Sequence, residues 1–150
     1  MRKYILPLVL ILTLLSVNAN AETAEVTVMV NNAIVNAPVP AQIVNNRTML
    51  PMRSIFERIG AKVTWTEANK IIFATKGNLL ITMQIDNTVM SVQEIGNENI
   101  VKIELDSPPF IVSGTTLVPV RAVAESLGCN VKWDPLVYTV YVDTTLKEGE

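Results

Sequence analysis

Two stretches of the chain carry the same alternation of apolar and polar positions. Residues 48–65 read TMLPMRSIFERIGAKVTW and residues 116–133 read TLVPVRAVAESLGCNVKW, with no gap between the copies. Thr48, Pro51, Arg53, Glu57, Gly60, Val63 and Trp65 return 68 residues later as Thr116, Pro119, Arg121, Glu125, Gly128, Val131 and Trp133. Each block opens on a short apolar run that predicts a strand. Met52, Ile55, Phe56 and Ile59 then fall at i, i+3, i+4 and i+7, and Val120, Val123, Ala124 and Leu127 repeat the spacing, which predicts a brief helix with one apolar face. Pro51 and Pro119 sit where that helix starts, a place that tolerates a missing N–H. Gly60 and Gly128 follow it as residues able to take positive φ. Next comes a strand, Ala61 to Trp65 or Val131 to Trp133, in which Val and Trp are two apart and share a face. A turn (Thr66 to Asn69; Asp134-Pro135) leads to a last strand, Lys70 to Thr75 or Val137 to Val142.

A hairpin precedes each block. Val26 to Val30 and Ala33 to Val35 flank Asn31-Asn32, and Leu79 to Ile85 and Thr88 to Val92 flank Asp86-Asn87. The hairpins are offset by 55 residues, so the second copy carries 13 extra, placed around Gln93 to Leu105 as a further strand pair through Gly96-Asn97. A two-turn helix is not stable alone in water and must pack on a sheet. The expected fold class is α+β: two repeats, each a mainly antiparallel five-stranded sheet wrapped around one short helix. The expected divisions are a signal peptide at 1–21, a first repeat at 22–78, a second at 79–146 and a charged tail at 147–150.

The N-terminus changes the picture of where the chain works. Basic Arg2-Lys3, an apolar run from Ile5 to Leu15 and Ala19-Asn20-Ala21 have the layout of a cleaved export signal, with a mature start at Glu22. The apolar run is too short for a bilayer span, which needs ~20 residues. Localisation is therefore expected to be secreted or associated with the cell surface or cell wall, with no membrane span after signal removal. The 129 residues after the signal hold 10 basic and 14 acidic side chains, a net charge of −4. A mildly acidic chain with 5% aromatic residues is a poor nucleic-acid binder, which would want a basic patch and stacking rings. The whole chain has no His and one Cys, which excludes imidazole ligands, His-based triads, intrachain disulfides and thiolate clusters. Cys129 aligns with Ala61 in the other copy, which favours a buried small hydrophobe over an interchain disulfide.

The pattern P-x-R-x3-E-x2-G-x4-W, present twice, resembles the copper amine oxidase N-terminal-like domain, a module common in exported proteins of Gram-positive bacteria. The resemblance covers nearly all of the mature chain as two tandem copies. It departs at two turns: Asn45-Asn46-Arg47 has Asn where the family often has Gly, and Ser113-Gly114-Thr115 has Thr where Arg is usual. The resemblance implies a five-stranded antiparallel sheet around one helix and a stalk-like, non-catalytic role. In a complete amine oxidase, copper and a modified Tyr lie in a separate catalytic domain. No cofactor and no metal site are expected here.

The candidate structural positions are Pro51, Arg53, Glu57, Gly60 and Trp65, with Pro119, Arg121, Glu125, Gly128 and Trp133. Arg53/Glu57 and Arg121/Glu125 are spaced to meet on one helix face. They read either as structural pairs or as a site for an anionic group, and their presence in both copies favours architecture, since a site would differ between copies. Trp65 and Trp133 read either as core or as sugar-stacking platforms, with Val63 and Val131 on the same face favouring core. Tyr138 and Tyr141, three apart, should point to opposite faces. No catalytic residue is assigned. The leading expectation is an exported, non-catalytic module for binding or spacing at the cell surface or cell wall, with a wall polymer or another surface protein as partner. The alternatives are a small secreted ligand-binding or inhibitory protein, which an exposed groove between the repeats would favour, and an extracellular wall-polymer enzyme, which the missing His and acid pair disfavour.

Overall fold

A computed structural model describes residues 25–145. The predicted export signal and the charged tail at 147–150 lie outside the described residues. The turns organise the chain. Asn31 and Asn32 take φ of 48° and 63°, so the strands β1 (Thr27–Val30) and β2 (Ala33–Ile34) close as a tight hairpin. Asn45 and Asn46 do the same with φ of 49° and 58° between β3 (Gln42–Val44) and β4 (Arg47–Pro51). Asn tolerates the left-handed region because its short amide can bond locally, and paired positive φ values match the twist of a two-residue hairpin. Ser113-Gly114 makes the equivalent turn between β10 (Phe110–Val112) and β11 (Thr115–Pro119). The strands β3 and β10 go beyond the sequence expectation; their signals are Asn45-Asn46 after Ile43-Val44 and Ser113-Gly114 after Ile111-Val112.

The helices α1 (Met52–Arg58) and α2 (Val120–Ser126) start directly after Pro51 and Pro119 and stop before Gly60 and Gly128, whose φ values are 78° and 82°. Ile55 and Phe56, and Val123 and Ala124, are fully buried in one continuous core with Leu50 and Val118. Two hairpins follow, β5 (Lys62–Thr66) with β6 (Ile71–Lys76), and β12 (Asn130–Asp134) with β13 (Thr139–Asp143). Their registers match: Val63 faces Ala74 and Trp65 faces Ile72, while Val131 faces Val142 and Trp133 faces Val140. Even the backbone at Lys70 (φ 53°) recurs at Tyr138 (φ 48°). The two blocks meet where β4 pairs antiparallel with β11, placing Leu50 opposite Val118, its own counterpart in sequence.

The expected pair of five-stranded sheets, each around one helix, is not what forms. The described residues form three sheets, ordered β10-β11-β4-β3, β12-β13-β1-β2 and β5-β6-β7-β8-β9. The hairpin of β7 (Leu79–Gln84) and β8 (Val89–Glu94) does not stay with the second block. β7 pairs with β6, so the expected boundary at 78/79 falls inside the β6–β7 hairpin, and β9 (Ile100–Glu104) extends that sheet as the predicted extra strand. β1 in turn leaves the first block and pairs in parallel with β13, Thr27 opposite Thr139 through Val30 opposite Val142. The physical reason is burial. The β12–β13 hairpin has one apolar face and an open edge, and the alternating Val28 and Val30, both buried, fit that face when β1 fills the edge. The blocks are therefore halves of one interlocked unit.

Candidate binding groove

Four elements converge beside the second half. Ser107, buried, donates through Oγ to the Val44 carbonyl at 2.8 Å, which fixes the segment after β9 against the β3–β4 hairpin. Arg47 donates through Nε to Asp106 Oδ2 at 2.8 Å, and its guanidinium makes the ion pair Arg47–Asp106, the one ion pair among the described residues. This rim, α2, β12 and the β12–β13 turn enclose a groove of about 710 Å³. Arg121 and Glu125 line it from α2, Val131 and Trp133 from β12, and Pro135 and Tyr138 from the turn. A second cavity of about 760 Å³ shares Glu125 and Val131 with the first and spreads past Asn130 and Lys132 to Tyr141 and Asp143 on β13 and Met29 on β1.

The helix-face residues do not form the expected pairs. Arg53, Glu57, Arg121 and Glu125 are all exposed, and neither Arg–Glu couple closes an ion pair. The halves differ elsewhere. Trp65 and Trp133 are both half-buried and packed against the core, between the two readings open from sequence. Trp65 donates its indole N–H to Glu67 at 2.6 Å. At the matching position the second half has Pro135, which offers no side-chain acceptor, and Trp133 instead meets the Tyr138 ring edge to face at 5.8 Å. The first-half turn is Glu67-Ala68-Asn69-Lys70; the second is Pro135-Leu136-Val137-Tyr138, with Leu136 91% and Val137 57% exposed. Tyr138 is exposed at 43%, while Tyr141 is half-buried on the sheet face turned away from the core. Leu136 and Val137 were missed from sequence, although aligning the two turns displays the contrast.

The sequence profile of the copper amine oxidase N-terminal domain matches residues 29–142 as a single span. The chain belongs to that family. The match covers both halves at once, so the two tandem copies expected from sequence are replaced by one domain. No curated protein and no solved structure matches the chain. In copper amine oxidases the N-terminal domain is an accessory, non-catalytic one. This member of the copper amine oxidase N-terminal domain family does not fit the metal in the family's name. It contains no His, and no cluster of Cys, Asp or Glu among the described residues could hold a metal ion. Cys129, its one thiol, is free and buried. Burial pushes the Cys129 thiol up from its ordinary pKa, and Lys76, with Nζ 3.9 Å from Sγ, opposes that rise in part. A neutral buried thiol is a poor nucleophile and a poor ligand. No helix among the described residues is long and apolar enough to cross a membrane.

Proposed function

We propose that the chain is an exported, non-catalytic binding module that acts at the cell surface or cell wall, with the groove between α2 and β12 as its ligand seat. The observation that carries this is the difference between the halves. The same local fold ends in a polar, self-bonded turn at Glu67 to Lys70 and in an apolar, exposed turn at Pro135 to Tyr138. Exposed apolar clusters beside a groove mark interaction surfaces, because leaving them in water costs about 25 cal/mol per Å². A spacer would have no use for such a turn. The non-catalytic reading rests on the family and on the lack of any imidazole. A small secreted ligand-binding protein is the second reading, favoured by the same groove, which draws its walls from both halves. Fractionation of the producing cells tests both. The chain should be found on the cell surface, and substitution of Leu136 and Tyr138 by Ser should release it to the medium. A variant that stays on the cells in full would remove the groove as the seat.

A further inference from the structure

β12 is the outermost strand of its sheet, so the backbone groups along its far side have no strand partner. The two cavities meet at Glu125 and Val131; they border that strand from Asn130 to Trp133 and Pro135, and reach across its sheet to Val140 and Tyr141 on β13 and Met29 on β1. α2 stands along the groove, presenting Arg121, Ala122 and Glu125 to it. Resting on the reading of the groove as the ligand seat, we propose that the open edge of β12 takes an extended segment of a partner polypeptide, which adds to it as a further strand beside the groove.

Three features select this ligand. An open strand edge offers alternating N–H donors and carbonyl acceptors at a strand's own repeat, and an extended polypeptide returns the same series. The side chains of an added strand alternate between faces. Those on the inner face would meet Val131, Trp133 and the apolar turn, so the segment should be apolar at every second position. Charge sets the third. Asp106 is neutralised by Arg47, which leaves Glu104 and Glu125 against Arg121 in the first cavity. Glu125 and Asp143 stand against Lys132 in the second. Glu125 is shared, so the two cavities together have one negative charge in excess, and the segment should also carry Lys or Arg. The first half lacks this combination. β5 is likewise an outer strand beside α1, but its turn is polar and Glu67 already occupies the Trp65 indole.

The test is a selection of randomised, strand-length peptides on the chain purified after export, followed by titration of the best peptide into isotope-labelled protein. Selected peptides should alternate apolar residues and include a basic one. Amide shifts and exchange protection should concentrate at Asn130 to Asp134. Affinity should fall about tenfold or more with Glu125→Lys and with Leu136 and Tyr138 changed to Ser, at unchanged melting temperature. Trp133→Ala should also weaken binding, and because it can lose stability it is read beside those surface variants. Absence of any binding peptide, or shifts centred on another edge such as β9, would overturn the proposal. A chito-oligosaccharide is titrated in parallel. If it moves the groove amides and no peptide does, the polypeptide ligand is wrong while the groove stands as the seat. If neither probe binds and the Ser variants stay on the cells, both fall.

Discussion

Val28→Ala tests the pairing that sequence reading placed elsewhere, the parallel union of β1 with β13. Val28 is 2% exposed, lies opposite Val140 and belongs to the continuous core. Truncation removes two methyl carbons from that core, worth ~0.8 kcal/mol each in transfer, and leaves a cavity that adds to the cost. The sum is about 2–3 kcal/mol, a large share of a domain stability of roughly 5–15 kcal/mol. For a chain of this size each kcal/mol lowers the melting temperature by about 3–5 °C, so the expected drop is roughly 6–15 °C. A melt alone does not locate the damage, so amide exchange should be followed residue by residue. Acceleration is expected in β13, from Thr139 to Asp143, more than 100 residues away in the chain. A melt lowered by less than about 1 °C, with β13 exchange unchanged, would refute the pairing and restore β1–β2 as a local hairpin of the first half.

Phe56→Ala, at a fully buried site, should cost about 3–5 kcal/mol, and Trp65→Ala, at a half-buried one, should cost less; chemical denaturation of both variants orders them. Cys129 should resist maleimide at neutral pH in the native state and react on unfolding, and the protein should run as a thiol monomer without reductant. Because its folded pKa is raised, the thiol's contribution to stability is complete below its unfolded pKa and is lost as pH rises through the folded value, so denaturation midpoints should decline on the alkaline side. The exported form should begin at Glu22, which N-terminal sequencing of the secreted protein checks.

What could be read from sequence was whatever local chemistry dictates. The helical spacing of Met52, Ile55, Phe56 and Ile59, the prolines before the helices, the glycines after them and the Asn31-Asn32 turn all express rules that act within a few residues, and each element stands where those rules put it. Strand partners obey no such rule. β7 is two residues from β6 and simply folds back on it, yet the offset between hairpins drew a boundary there. β1 finds β13 because an open edge and an apolar face need covering, a demand visible only once the sheet exists. The site was half legible for the same reason. Arg121, Glu125 and Trp133 stand out as residues kept in both blocks, whereas the contrast that the proposed function rests on lies in what is not kept, Pro135 to Tyr138 against Glu67 to Lys70. Arg47–Asp106 joins positions 59 apart and carried no local signal.

The most direct measurement exchanges that contrast. The graft P135E/L136A/V137N/Y138K gives the second half the turn of the first at equal length, and Lys already holds the left-handed φ needed there, at Lys70. Folding should therefore survive, with a melting temperature within about 2 °C of the parent, since surface changes cost little. Attachment to the cell surface and binding of the selected peptide should both be lost. A graft that melts like the parent and still binds and attaches in full would show that the groove beside β12 is not where this protein meets its partner.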